Sequence, residues 1–287
     1  MNKIYSSAII MAMISLVACN KEGVQTVGET LSANAYISPE TKTDYVIGNY
    51  GEKAGVKVTW SETKTEKFDA YYEGGAKPVI FSKEGAGTSF TAKDVPSGVS
   101  ASTTFTGLYG SNATLNSDGK IDIDFSKQNG ELDNLAAYDV MTATSELKEG
   151  ALSFAFKHNC AILRLKCVNY TQKEVNFVIL DFAKAEVSKE FASTGFDQSR
   201  SVCIRLKLKL DKPVAKDTEE ANGVEEVRYV MVPAMNYCES MPDGLPRDDD
   251  SGFHKSITFY ESKFIEAGKV YDVLCEYGFK GGIVEAD

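Results

Sequence analysis

Cys19 is the residue of this 287-residue chain with the clearest chemistry open to it. It closes the run Leu16-Val17-Ala18-Cys19, which follows Lys3 and an apolar stretch from Ile9 to Val17. A positive start, an apolar stretch too short to cross a bilayer and small residues before a cut describe a secretory leader, here ending in a lipobox. Cleavage between Ala18 and Cys19 frees the Cys19 amine. The thiol can then carry a diacylglycerol and the amine a further acyl chain, each buried methylene adding about 0.8 kcal/mol of membrane affinity. The expectation is an exported chain, tethered by lipid at Cys19, with residues 1–18 as a lipoprotein signal peptide.

Other reactive side chains offer less. Removing Cys19 leaves Cys160, Cys167, Cys203, Cys238 and Cys275. An odd number cannot all pair internally, and most sit among alternating apolar residues, where a free thiol behaves as a small hydrophobe. There is no C-x-x-C, and His158 and His254 lie far apart in sequence, so a zinc site is not expected. No Gly-x-Ser-x-Gly, H-E-x-x-H or phosphate-cradling glycine loop occurs, and the expectation is no enzyme, no catalytic residue, no metal and no cofactor. His158 shares a strand face with Phe154 and Phe156 and reads as a satisfied core or interface histidine. Asn116-Ser117-Asp118-Gly119 echoes a calcium loop, but Thr114 and Phe125 stand at its first and twelfth ligand positions, which makes it a hairpin turn. Asp248-Asp249-Asp250 reads as a run of solvated carboxylates.

These residues need elements to hold them. Period-two alternation recurs at Ile121, Ile123 and Phe125, at Leu152, Phe154 and Phe156, and at Ile204, Leu206, Leu208 and Leu210, each the mark of a half-buried strand. Further strands are expected at 56–60, 70–72, 79–81, 104–108, 140–144, 175–180, 229–232, 257–260 and 270–277. Turn signals such as Glu73-Gly74-Gly75 and Lys148-Glu149-Gly150 separate them, a pattern of sandwiches. The best helical candidates, near 131–138 and 182–189, are short and lack long apolar faces, so crossover turns are expected there. The length suits two domains, at 35–152 and 153–287, after a polar tether at 19–34, with the division near 150–158 and the junction falling anywhere up to about Asn169. The charge of 31 Lys plus Arg against 41 Asp plus Glu, formally -10, repels nucleic acid and excludes it as a partner.

Trp60-Ser61-Glu62, Phe105-Thr106-Gly107-Leu108, Tyr138-Asp139-Val140-Met141-Thr142-Ala143, Phe154-Ala155-Phe156-Lys157-His158 and Gly268-Lys269-Val270-Tyr271 follow one another in a familiar order. The chain resembles the Bacteroidales fimbrillin-like lipoproteins, the subunits of type V pili. The resemblance implies an all-β fold of two tandem transthyretin-like β-sandwich domains. It also implies an outer-membrane, lipid-anchored subunit at the cell surface, a stalk, anchor or tip of a fimbrium, whose partners are other subunits joined by strand addition. In the stalk pilins of that family an arginine-specific protease removes the N-terminal segment to open a groove. No arginine precedes Arg164 here, so such a cut would need another specificity, at Lys42 or Lys53 for instance.

Two segments have the alternation that strand donation requires. One is 270–277, with Tyr271, Val273, Cys275 and Tyr277, either a donor strand or the last edge strand of the second domain. The other is Thr30 to Val46, with Leu31, Ala33, Ala35 and Ile37, either an exchanged strand or a first edge strand. The alternative function is a surface lipoprotein binding a glycan or host ligand through Trp60, Tyr71, Tyr72, Tyr109, Tyr229 and Tyr237, which needs exposed rings converging on one surface.

Overall fold

The computed structural model describes residues 30–37, 47–52, 60–62, 65–97, 99–183, 185–199, 203–217, 223–236, 253–257 and 264–277. Strands β1 (Thr30–Ile37), β2 (Glu66–Tyr72), β3 (Val79–Lys83), β4 (Ser89–Lys93) and β5 (Thr104–Tyr109) come first. The short β6 (Thr114–Leu115) and β7 (Ile121–Asp122) lead to β8 (Met141–Glu146) and β9 (Ala151–His158). The order β1-β4-β3-β2-β5-β8-β9 returns to β1, so the hydrogen bonding closes on itself. Two joints in this ring are short. β3 meets β4 only at Ser82 with Thr91, and the β8–β9 ladder holds only Met141 with His158 and Thr142 with Lys157. These joints are corners, and they divide the ring into a β4-β1-β9 sheet and a β3-β2-β5-β8 sheet, a sandwich closed at both corners.

Alternation along these strands aims Phe68, Phe81, Phe90, Phe154 and Phe156 inward, each at most 2% exposed. The rings meet mainly edge to face at 5.0–6.1 Å, the arrangement their quadrupoles favour. Gly107 in β5 lies directly under two of them: a Cβ there would come within 3.0 Å of Phe154 and Phe156. Only a bare backbone lets β5 pass.

The second half begins with β10 (Cys160–Asn169) and β11 (Val175–Ala183), followed by the short β12 (Glu186–Val187) and β13 (Phe191–Ser193). The longer β14 (Cys203–Val214) and β15 (Val224–Pro233) follow, then β16 (Met235–Asn236), β17 (Phe253–Ile257), β18 (Phe264–Ile265) and β19 (Val270–Tyr277). β10 runs antiparallel to β15 on one side and parallel to β19 on the other. β1 has the same setting, antiparallel to β4 and parallel to β9. Each half therefore places its first strand inside a sheet and pairs it in parallel with its last. A β14-β11-β17 sheet supplies the opposing layer of the second core, and β12-β16-β18 forms a small flanking sheet.

The stretch between β5 and β8 leaves the first core for the second. β7 pairs in parallel with β13, and Ile121, Ile123, Phe125, Leu135 and Tyr138 are buried among residues of β10, β11 and β14. Gln128 pins this excursion: its buried amide donates to the carbonyls of Phe125 and Met231 and accepts from the Met231 N–H. A buried side chain that satisfies itself on backbone from both halves of the chain fixes their relative position.

The all-β class expected from the alternation is the one the chain adopts. Other expectations need correction. Residues 182–189 are not the expected crossover turn, because Phe182 is buried in β11 and Glu186 starts β12, whereas the turn expected near 131–138 is present as a 3-10 turn at 132–137. Residues 30–34, assigned to the polar tether, open β1, with Leu31 fully buried. β1 is not an edge strand, since β4 and β9 flank it. The first core also takes in Phe154 and Phe156, beyond residue 152. The Asn116 loop is the expected hairpin turn between β6 and β7, with Gly119 at φ 71° and the Asn116 side-chain oxygen accepting from the N–H groups of Asp118 and Lys120. The strand expected at 56–60 lies outside the described residues except for Trp60, as do 258–260, Tyr237 and Asp248 to Asp250.

Candidate assembly strand and the junction between the cores

β1 is seated by main chain on both flanks and by small side chains below. It faces β4 from Thr30 with Lys93 to Asn34 with Ser89, and β9 from Ser32 with Ala151 to Ile37 with Phe156. Leu31, Ala33 and Ala35 point into the core at 0–3% exposure, while Thr30, Ser32 and Asn34 point out. Trp60 closes the seat from above: its indole N–H donates to the Ala35 carbonyl at 2.8 Å, and its ring packs on Phe90, Tyr109 and Phe156. Beside β1 a cleft of about 610 Å³ opens where β8 and β9 diverge, lined by Asn34, Ser89, Thr144, Glu146, Lys148 and Ser153. In that gap the Ser153 N–H donates to the Ser145 hydroxyl in place of a ladder partner.

The sequence motifs converge where the two cores meet. His158 ends β9 and its Nδ1 lies 2.5 Å from the Asp139 carboxylate, both side chains being at most 4% exposed. Next to them the Asn159 N–H donates to the Val140 carbonyl, and the N–H groups of Ala234 and Gly268 donate to the carbonyls of Asn159 and Cys160. Asp139, Gly268 and Lys269 share with His158 a space of about 10 Å³, room for about one water. The far nitrogen of His158 has no hydrogen-bond partner among the described residues. Tyr109, the last residue of β5, donates to Glu66, and burial, with the Glu66 charge second, raises its phenol so that the proton stays. The residues that sequence order picked out are thus packing and joining residues.

β19 carries the other proposed assembly residues. It is the last strand in the order β15-β10-β19, with Val273 and Cys275 buried and Tyr271 and Tyr277 half-buried against the second core. On its outer side Asp272 receives the Arg164 guanidinium, at 2.5 Å from Nε and 2.8 Å from Nη2. Arg164 also donates to the carbonyls of Gly48 and Glu52, and the Gly51 N–H donates to Asp272. Burial alone would raise the Asp272 carboxyl; the hydrogen bonds from Arg164 and Gly51 outweigh it and hold the group below its ordinary range. The segment 47–52, which follows β1 in the chain, is therefore fastened to β10 and β19.

Solved structures from Bacteroides are similar to this chain. A candidate cell adhesion protein from Bacteroides ovatus ATCC 8483 shares 14% identity at a TM-score of 0.38, covering 77% of this chain and 81% of its own. A fimbrial protein from the same strain shares 12% at 0.32, covering 87% of this chain and 50% of its own, so this chain spans half the length of that one. A candidate cell adhesion protein from Bacteroides uniformis ATCC 8492 shares 12% at 0.36, covering 85% and 92%. No protein-family model and no curated protein matches the chain.

Ala18 and Cys19 lie outside the described residues. Of the rings considered for sugar stacking, Trp60 and Tyr109 are in the first core, Tyr71, Tyr72 and Tyr229 are half-buried, and Tyr237 lies outside the described residues. Sequence reasoning missed Asp139 and Asp272, the partners of His158 and Arg164. The signal was a charged residue at a strand position flanked by apolar ones, as in Leu163-Arg164-Leu165, which demands a buried counter-charge without saying where it is.

Proposed function

We propose that this chain is a lipid-anchored fimbrial subunit of the outer membrane, structural or adhesive and without catalysis, that joins other subunits by strand addition at the seat of β1. The observation that carries the reading is the placement of β1. It is the first strand described, it holds to β4 and β9 by main-chain pairing, and its inward residues Ala33 and Ala35 are small. Main-chain bonds grip any extended segment, and small alternating side chains ask little of its sequence. Losing β1 would bare two strand edges and the aromatic core, so its place must be refilled rather than left open. About 10 residues separate Cys19 from Thr30, which spans at most about 35 Å. While β1 stays in place, the lipid holds the body close to the membrane, and exchange of β1 would free it.

Immunogold electron microscopy of intact cells, with an antibody against residues 160–277, tests this reading. Label along filaments, or at their ends, is the expected result. Scattered label on an envelope without filaments would sink it and favour a surface lipoprotein that binds a glycan or host ligand.

A further inference from the structure

Cys167 and Cys275 stand directly opposite each other. The parallel ladder of β10 and β19 runs without a break from Ile162 with Val270 to Asn169 with Tyr277, and it places Cys167 level with Cys275. Both side chains lie on the core face and are fully buried, both are free thiols, and the two are hydrogen-bonded to each other. Neighbouring strands lie about 4.8 Å apart, inside the Cα separation of roughly 4.4–6.8 Å that a disulfide bridges. Cys160 is seven residues away on β10, about 23 Å along the strand, and cannot substitute for Cys167. The export expected from the leader would take the chain into an oxidising compartment, where such a pair closes.

We propose that Cys167 and Cys275 form a cross-strand disulfide that ties the last strand, β19, covalently to β10. The Cys275 thiolate attacks a disulfide oxidant of the glutathione or oxidoreductase class and expels one thiol. The Cys167 thiolate then attacks the Cys275 sulfur and expels the second. Two electrons reduce the oxidant and the two protons leave on the released thiols. The hydrogen bond that the Cys167 thiol donates to Cys275, with burial second, keeps that thiol well above its ordinary range, so thiolate is scarce in the closed fold. The bond therefore forms while β19 docks or frays, and β19, at the end of its sheet, can open without breaking another ladder. The geometry is independent of what the chain assembles with.

The test uses the full chain, isolated from cells with thiols blocked at lysis and, in a second sample, after incubation with oxidised glutathione. Each is digested without reduction and mapped by mass spectrometry. The expected result is a peptide joining Cys167 to Cys275 in the oxidised sample, with a melting temperature about 5 °C above that of the reduced chain. Cys275→Ser should lose that rise. Free thiols at both positions after oxidation, a link from either to another cysteine, or an undiminished rise in Cys275→Ser would overturn the proposal.

Discussion

Arg164 is buried at 1% side-chain exposure in the middle strand of a sheet, where a lone cation is untenable. Asp272 makes it tolerable, and the pair clamps residues 48–52 as a by-product of neutralising itself. Asp272→Asn should cost about 2–3 kcal/mol in urea unfolding at pH 7, because it leaves the guanidinium without its charge. The pH dependence has a fixed sign. The folded carboxyl is held below its ordinary value of 3.8, so this contribution is complete above that value and is lost as pH falls through the lower, folded one. Wild-type stability should therefore drop below about pH 4, and the asparagine variant should show a shallower drop there. Asp69 is the opposite case. Burial raises its carboxyl, and no hydrogen bond or ion pair holds it among the described residues. Its charged form costs the fold, and Asp69→Asn should raise stability at pH 7 by about 0.5 kcal/mol, read from the same urea curves.

Among the elements, β1 shows how far a local pattern reaches. Leu31, Ala33 and Ala35 alternate, and that alone indicates a strand with one face buried. It says nothing about the neighbours, and an edge position was an equally good solution until β4 and β9 were seen on either side. The chain has a single tryptophan, Trp60, which packs over β1 and bonds to its backbone, so its emission reports whether the seat is filled. A chain starting at residue 47 should show red-shifted Trp60 emission. A synthetic peptide of residues 29–38 should restore the blue-shifted emission, whereas a peptide with Ala33 and Ala35 replaced by aspartate should not. Unchanged emission on peptide addition would refute replacement at this seat.

At the scale of the whole molecule the two cores are interlocked. Residues 113–138 belong by sequence to the first half and by packing to the second, through Ile121, Phe125, Leu135 and the Gln128 amide. A fragment of residues 153–287 lacks those side chains and takes Phe154 and Phe156 away from the first core. It should give no cooperative thermal transition, while the intact chain should; a sharp transition in the fragment would show that the second core stands alone. The proposed anchor would act on the molecule as a unit. Cys19→Ala should move the exported chain from the detergent phase to the aqueous phase on partitioning, with its urea midpoint unchanged.

Strands, turns and the all-β class were written locally, because side-chain alternation and the φ demands of residues such as Gly119 depend on near neighbours in the chain. The strand at Val270–Tyr277 was legible to the residue. Its partner was not, and neither were the meeting of Asp139 with His158, of Asp272 with Arg164 and of Cys167 with Cys275. Those contacts join residues as far as 108 positions apart, and register across a sheet is set by which buried faces fit together in three dimensions. The sequence by itself determined that this chain makes half-buried strands, and it raised the expectation of a lipobox at Cys19. Only the tertiary structure decided that the first strand sits inside a sheet, that the stretch after β5 crosses to the other core, and that the paired charges and thiols share one small sheet.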